Sequence, residues 1–238
     1  MAKKKKYDDV LGTAMLDFAQ GDQEANIRLL IDGEEDDWMK ASRFFRTFDE
    51  MPVLEQIALQ NCQGRILDVG AAAGCHSKWL TEKGFEVVSL DISEGACEVM
   101  KLQGIQNIVK ESIFEFEDQN GFDTILMLMN GLGMSGKLSE THLLLNKLKT
   151  LLKPGGQIIG DSSDLIYLFE DEDGSYLIPS ENYYGEVDFE LEYKSLYSKF
   201  PWVYIDEDNL RNIAQECGLQ AETLGEGDHY EFLIRFSQ

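Results

Sequence analysis

The sequence has few cysteines and histidines, and those present are not arranged as metal ligands. The four cysteines form no Cys-x-x-Cys pair, and the three histidines share no ligand spacing with them. We therefore expect free thiols and no metal site. Free thiols without an apolar export segment predict a cytoplasmic protein. The cysteines are Cys62, Cys75, Cys97 and Cys217.

Basic residues are also scarce, at 21 lysines and arginines against 44 acidic residues, which gives a net charge of −23. Such a surface repels phosphate backbones, so nucleic acids and membranes are not expected partners. One dense basic run, from Lys3 to Lys6, is predicted to belong to a disordered tail over residues 1–8. Long apolar runs are missing too, because none reaches the ~20 residues that span a bilayer.

The most informative stretch is Arg65-Ile-Leu-Asp-Val-Gly-Ala-Ala-Ala-Gly-Cys-His-Ser-Lys-Trp-Leu80. Its first apolar residues are typical of a parallel strand that is covered on both faces. Gly70 ends this strand and Gly74 opens a helix, while the alanines between them leave backbone N–H groups accessible. This junction of strand and helix is predicted to bind a cofactor.

Two carboxylates bear on the identity of that cofactor. Asp68 lies two residues before Gly70, where it would repel the pyrophosphate of a dinucleotide and favour a cationic ligand. The spacing also departs from Gly-x-Gly-x-x-Gly, which weakens the interpretation as an NAD-dependent oxidoreductase. About twenty residues beyond Gly70, a second strand ends at Asp91, an acid placed to accept both ribose hydroxyls.

These residues resemble the class I S-adenosylmethionine-dependent methyltransferases, whose first motif is an acid followed by a glycine-rich turn. Here that motif reads Asp68-Val-Gly-Ala-Ala-Ala-Gly74, with Ala72 in place of the middle glycine. Lys153-Pro-Gly-Gly156, before a later strand, matches the family as well. Where the family usually has an acid after its third strand, this sequence has Ser112.

The resemblance implies an α/β fold, a doubly wound Rossmann-like sheet of seven strands, mostly parallel with an antiparallel last strand. It also implies S-adenosyl-L-methionine as cofactor, with Ile92 and Ile113 on either side of the adenine. Asn130 has a second interpretation, as a turn former beside Gly131. The cofactor-binding residues implied are Asp68, Gly70, Ala71, Ala72, Gly74, Asp91, Ile92, Ser112, Ile113, Met129 and Asn130.

The length of 238 residues predicts a single methyltransferase domain. After the tail, residues 9–62 are predicted to form lid helices over 7–30, 38–48 and 52–62, followed by the cofactor-binding core over 63–161. Alternating residues predict a β-hairpin, with strands 182–194 and 196–205, inside an insertion over 162–205 that caps the substrate. Residues 206–238 are predicted to supply a final helix and two strands.

Methyl transfer needs mainly orientation and desolvation, so no catalytic residue is required by the chemistry. The candidates for a general base are His76, Asp161, Tyr184, Glu186 and His229, and the sequence assigns none of them. We expect a small-molecule methyl acceptor and allow a homodimer. The alternative, supported by Ala72 and Ser112, is a non-catalytic scaffold or partner subunit that binds S-adenosylmethionine.

One basic residue near the N-terminus has two interpretations. Arg46 could pair with the carboxylate of the methionine part of the cofactor, or it could form an exposed salt bridge. The aromatic residues around it, Phe44, Phe45 and Phe48, are either core residues or a wall against the adenine or the substrate.

Overall fold

The computed structural model describes residues 8–171, 173–178 and 182–238, with the side chains of residues 35 and 36 left out. The predicted tail therefore lies almost entirely outside the described residues. Six helices are described: α1 Val10–Ala19, α2 Val53–Gln60, α3 Cys75–Glu82, α4 Glu94–Leu102, α5 Thr141–Thr150 and α6 Glu207–Glu216. Five shorter 3₁₀ turns occupy Ala41–Phe45, Phe48–Glu50, Gly131–Ser135, Leu138–Glu140 and Leu165–Phe169.

Eleven strands are described, and they form two sheets. They are β1 Asn26–Ile31, β2 Glu34–Lys40, β3 Arg65–Val69, β4 Glu86–Asp91, β5 Ile108–Lys110, β6 Phe122–Met127, β7 Leu152–Ser163, β8 Glu186–Tyr193, β9 Leu196–Val203, β10 Gln220–Glu226 and β11 Glu231–Ser237. None of the helices in the described ranges is both long and apolar enough to cross a membrane.

The larger sheet has seven strands in the order β10-β11-β7-β6-β3-β4-β5. Strands β3 to β7 are parallel to one another, whereas β11 is antiparallel to both β7 and β10. The central strands carry long apolar side chains because the sheet is covered on both faces, with Ile66 in one core cluster and Leu67 in the other. The predicted doubly wound, mostly parallel sheet with an antiparallel last strand is confirmed.

The smaller sheet has four antiparallel strands in the order β2-β1-β8-β9. The predicted hairpin of the insertion is present as β8 and β9. Its partner is a second hairpin, β1 and β2, from the N-terminal part of the chain, where β1 pairs with β8 through contacts such as Leu29 with Leu191.

This N-terminal hairpin shows that the predicted helices over 7–30 and 38–48 are wrong beyond α1. The helical period ends near Ala19, and Asp32 and Gly33 then form a two-residue turn in which both φ angles are positive, 53° and 83°. An Asp-Gly turn is a strong hairpin signal that the helical periodicity obscured. Strand β1 also gains a partner about 160 residues further along the chain, which local periodicity cannot reveal. The third predicted helix is present as α2.

Candidate functional site

The turn after β3 is held tightly against the end of β4. The backbone N–H groups of Gly70 and Ala71 both donate to the carbonyl oxygen of Leu90, at 2.8 and 3.1 Å. Gly70, Ala72 and Gly74 all have positive φ angles, 69°, 50° and 82°. Gly74 comes just before α3 in the left-handed conformation, which an alanine or valine adopts only with strain. The sequence placed this turn correctly at both glycines.

Asp91 joins this turn to the end of β4. One of its carboxylate oxygens accepts a hydrogen bond from the Ala72 N–H at 2.9 Å, and the other accepts from the Ser93 N–H at 2.8 Å. Burial raises the pKa of Asp91 above its ordinary value, although these two N–H groups oppose the rise. Each carboxylate oxygen has a further lone pair, so the group can still accept hydrogen bonds from a ligand.

Asp68 lies beneath the turn and is only 2% exposed. The hydroxyl of Ser77 donates to its carboxylate at 2.6 Å, and the hydroxyl of Ser89 donates in turn to Ser77 at 2.7 Å. The structure therefore places a buried carboxylate directly below the glycine turn, anchored from α3 and β4.

The residues predicted to flank a flat ring differ in their surroundings. Ile92 follows Asp91 and is 73% exposed, so its side chain is available to a ligand. Ile113 is 3% exposed and packs in the main core, so it has little surface to offer. Ser112 begins the turn before it, where its hydroxyl accepts a hydrogen bond from the Phe114 N–H at 3.3 Å.

The chain leaves the end of β6 in a strained conformation. Met129 and Asn130 have consecutive φ angles of 60° and 56°, a left-handed backbone that costs free energy for residues with side chains. The Asn130 N–H donates to an Asp161 carboxylate oxygen at 3.0 Å, and its side-chain amide donates to the Val203 carbonyl at 3.4 Å. Strain of this kind clusters at functional sites.

A buried ionic cluster lies beside these residues, and it was not predicted from the sequence. One terminal nitrogen of Arg46 lies 2.8 and 2.9 Å from the two carboxylate oxygens of Glu55, and His76 Nε2 lies 2.8 Å from Glu55. The same nitrogen of Arg46 lies 3.6 Å from the sulfur of Met129. Arg46 is thus mostly buried and paired, rather than forming an exposed salt bridge.

The charges in this cluster stabilise one another. Burial opposes the charged form of His76, but neighbouring Cys75, Glu55 and Asp68 outweigh it and hold the pKa of His76 well above its ordinary value. Burial likewise favours protonated Glu55, yet His76 and Arg46 hold the pKa of Glu55 below its ordinary value. The burial of Glu55, though not its partners, could have been predicted from the sequence, because Glu55 shares the i, i+3, i+4 face of α2 with the buried Ala58 and Leu59.

Asp161 completes the cluster on the side of β7. Burial raises its pKa to about 7, with the nearby Glu55 adding to the rise and the Asn130 N–H opposing it. The other candidates for a general base lie in different environments. Glu186 accepts a hydrogen bond from the Leu138 N–H at 3.1 Å, Tyr184 donates to Asp164 at 2.7 Å, and His229 stacks edge-on against Tyr167.

N-terminal elements pack against the glycine turn. Met15 of α1 and Phe44 form a buried cluster with Ala73, against which Ala72 and Met129 also pack. Phe44 is therefore a core residue. Helix α1 is anchored by Asp9, which caps it through the Gly12 N–H and accepts hydrogen bonds from Ser93 and Gly95 at 2.9 Å each.

A cavity of about 800 Å³ opens between these N-terminal elements and leads to Arg46. It is bordered by α1, the first hairpin and the turn at Ala41–Phe45. Its lining includes Phe18, Leu29, Met39, Phe45 and Arg46.

The insertion packs on the same edge, where β8 pairs with β1 of the N-terminal hairpin. Trp202 of β9 lies against Gly133, where any added Cβ would fall 2.2 Å from the indole nitrogen. Trp202 belongs to a cluster of aromatic rings with Phe189, Phe200 and Tyr204, whose centroids are about 6 Å apart. In the described parts of the chain, no three His, Cys, Asp or Glu side chains are grouped to hold a metal ion.

A parallel sheet of this order, with acids at the ends of β3 and β4 around a glycine turn, defines an α/β protein that binds an adenosine cofactor. The methyltransferase-domain family matches residues 67–160 of the chain. A SAM-dependent methyltransferase from Bacteroides fragilis, solved with S-adenosyl-L-homocysteine, is 43% identical. That match covers 96% of this chain and 94% of the other, with a TM-score of 0.89. The chain therefore belongs to the class I S-adenosylmethionine-dependent methyltransferases, and S-adenosyl-L-methionine is its cofactor.

Two further relatives are more distant. Glycine N-methyltransferase from Rattus norvegicus is 29% identical over an alignment 123 residues long, which covers 44% of this chain and 42% of that protein. The chain thus matches less than half the length of that relative. An amino pentose methyltransferase from Micromonospora echinaspora is 14% identical and shares the fold, with a TM-score of 0.54 over 86% of this chain and 99% of that one.

Proposed function

We propose that this methyltransferase transfers the methyl group of S-adenosylmethionine to a small-molecule acceptor at the carboxyl ends of β3, β6 and β7. The observation that carries the proposal is that this edge is covered by two parts of the chain that are distant in sequence and are joined in one sheet. N-terminal elements pack on Ala72 and Met129, while β9 packs on Gly133. A macromolecule would need both to move, whereas a small molecule fits a site that is closed in this way.

The residues at this edge fit the cofactor. Asp91 retains lone pairs for the two ribose hydroxyls, and Ile92 offers an exposed apolar surface to the adenine. Arg46 has a buried Nε–H without a partner among the described residues, which suits a carboxylate such as that of the methionine part. Asp68 places a negative charge beneath a cationic ligand.

The chemistry required of the protein is modest. S-adenosylmethionine supplies an electrophilic methyl group, because its sulfonium is a good leaving group. The protein must hold the acceptor in line with that group and exclude water. The distant relatives support a small acceptor, since two of them are named for glycine and for an amino pentose. The acidic surface, with a net charge of −23, also disfavours polyanionic substrates.

Calorimetry with S-adenosylhomocysteine tests the cofactor site. Asp91→Ala should bind it at least about 100-fold more weakly, since two charge-assisted hydrogen bonds to the ribose are lost. Glu94→Ala is the matched control, because Glu94 lies three residues away with a largely exposed side chain. Unchanged affinity in a folded Asp91→Ala protein would contradict the assignment of Asp91.

Isotope labelling tests the size of the acceptor. The wild-type enzyme, supplied with S-adenosylmethionine labelled in its methyl group and a cell extract, should transfer label to the fraction that passes a small-pore membrane. Asp91→Ala serves as the blank. Label found only in retained protein or nucleic acid would refute a small acceptor, and labelling equal to the blank would favour a non-catalytic scaffold.

A further inference from the structure

The end of β6 carries a hydrogen-bond acceptor that the protein itself does not use. The side-chain oxygen of Asn130 is buried and has no hydrogen-bond partner among the described residues. The orientation of the amide is fixed, because its nitrogen donates to the Val203 carbonyl and a flipped amide would set oxygen against oxygen. A buried acceptor without a donor costs free energy, so its retention points to a donor on the ligand.

A second acceptor lies within the same hydrogen-bond network. One oxygen of the Asp161 carboxylate accepts the Asn130 N–H at 3.0 Å, which ties the carboxylate to the residue that carries the free amide oxygen. Asn130 follows β6 and Asp161 lies near the carboxyl end of β7, the edge of the sheet at which ligands of such folds bind. The site therefore offers two hydrogen-bond acceptors, from two residues that are hydrogen-bonded to each other.

We propose that the methyl acceptor is a primary or secondary amine, which binds in its protonated form and donates one N–H to the Asn130 side-chain oxygen and one to the Asp161 carboxylate. This inference rests on the proposed function. A hydroxyl or thiol has a single hydrogen and could satisfy only one of the two groups, whereas the ammonium form of a primary or secondary amine carries at least two. A carboxylate acceptor has no hydrogen to donate and would be repelled by Asp161.

Asp161 also removes a proton in this reaction. A protonated amine gives one proton to the Asp161 carboxylate, which frees the lone pair on nitrogen. The neutral nitrogen forms a bond to the methyl carbon while the bond from that carbon to sulfur breaks, and the electron pair of the broken bond stays on sulfur. The products are a methylated ammonium and S-adenosylhomocysteine, and Asp161 releases its proton to water.

The surroundings of Asp161 suit this role. The charged groups that face it are Glu55 from α2 and His76 from α3, with Arg46 bound to Glu55. Burial together with Glu55 raises the pKa of Asp161 to about 7, so the carboxylate exchanges protons near neutral pH.

The aromatic cluster on the insertion indicates the chemical character of the part of the acceptor molecule beyond its amino group. The Asn130 side chain donates to the carbonyl of Val203, and the preceding residue, Trp202, packs against Phe189 in a tilted contact and against Phe200 edge-on. Aromatic rings bind both apolar groups and ammonium ions. An amine with a short apolar or aromatic body matches this combination.

A pair of isosteric probes tests the proposal without knowledge of the natural acceptor. The complex with S-adenosylhomocysteine is titrated with 2-phenylethylamine and with 2-phenylethanol, which differ only in the amino or hydroxyl group. We expect the amine to bind at least about tenfold more tightly. The preference should grow from about pH 6 to about pH 8, as Asp161 ionises.

Variants show whether the named residues cause the preference. Asp161→Asn and Asn130→Ala should each weaken the binding of the amine at least about tenfold and leave that of the alcohol unchanged. Asp161→Asn should keep its affinity for S-adenosylhomocysteine within about twofold. Glu186→Gln is the matched control, since its carboxylate is bonded to the Leu138 N–H, and it should retain the full preference for the amine.

Three results would overturn the proposal: equal affinity for the two probes, no binding of either probe, or an amine preference that survives in both variants. A wild-type protein that does not bind S-adenosylhomocysteine would instead refute the proposed function, so the two failures are distinguishable.

Discussion

The two halves of the site are built in opposite ways. Around β3 and β4 the backbone supplies the shape, and the buried polar groups are paired: Asp91 accepts two N–H groups, and Asp68 is held by Ser77. Around β6 and β7 the backbone is strained at Met129 and Asn130, and one buried amide oxygen has no partner among the described residues.

This difference corresponds to two tasks. In the function that we propose, the half around β3 and β4 binds the cofactor, which is the same in every reaction of the family, so a fixed backbone turn suffices. The half around β6 and β7 would bind the methyl acceptor, and its buried side chains keep an unpaired hydrogen-bond acceptor and a charge available for that ligand. A strained backbone and an unpaired buried group lower the stability of the free protein. The predictions below test this contrast.

The largest effect should come from Gly74→Val in the cofactor half. A Cβ at this position would lie 2.3 Å from Ile105 and 3.0 Å from Met100, and φ is 82°. We expect a loss of about 3 kcal/mol or more in the free energy of unfolding, together with loss of cofactor binding. Denaturant unfolding and calorimetry measure the two effects.

Gly84→Val is the matched control for crowding. Its φ is 88°, yet a Cβ there has no atom within 4 Å, so only backbone strain remains. It should cost about 1–3 kcal/mol and leave cofactor affinity unchanged. Equal losses in the free energy of unfolding for Gly74→Val and Gly84→Val would mean that the turn after β3 is not tightly packed at Gly74.

The next effect concerns the acceptor half, where Asp161→Asn should stabilise the free protein at alkaline pH. The pKa of Asp161 is raised from 3.8 to about 7 in the folded state, so the native protein holds a proton that the unfolded chain releases. The contribution of this group to the free energy of unfolding is fully present below about pH 4 and is lost as the pH rises through about 7.

Asparagine keeps the oxygen that accepts the Asn130 N–H but has no charge to bury. The variant should therefore exceed the wild type by about 2 kcal/mol at pH 8, with a much smaller gain at pH 4. The measurement is the difference in unfolding free energy between the two proteins across this range. A difference that does not change with pH would show that Asp161 titrates normally.

The local structure around β3 and β4 was predicted from the sequence far better than that around β6 and β7, for a physical reason. The residues around Gly70 and Asp91 are glycines, small residues and acids at fixed spacing, and they form their contacts locally or with the adjacent strand. Their spacing is therefore enough to predict the local structure. The pairing of Arg46 with Glu55 and His76 joins residues from three separate elements, and no spacing encodes it.

The same reasoning explains the error in the N-terminal region. Strand β1 is a strand because it pairs with β8, far along the chain, and only the Asp32-Gly33 turn gave a local signal. Long-range pairing also places the aromatic insertion beside the N-terminal hairpin. The sequence predicted the insertion as a hairpin but could not predict the sheet that the two hairpins form together.

The smallest effects should separate the members of the hydrogen-bond chain below the glycine turn. Ser77 donates to the buried Asp68 and accepts from Ser89. Ser77→Ala should cost about 1–3 kcal/mol, because a buried carboxylate loses a charge-assisted partner, and it should weaken binding of S-adenosylhomocysteine through the displaced Asp68. Ser89→Ala should cost only about 0.5–1.5 kcal/mol and leave cofactor affinity unchanged, since Ser77 still bonds to Asp68. If the two variants proved equal in stability and in affinity, the position of Asp68 would not depend on its hydrogen bond from Ser77. That result would contradict the view that paired buried groups fix the structure around β3 and β4.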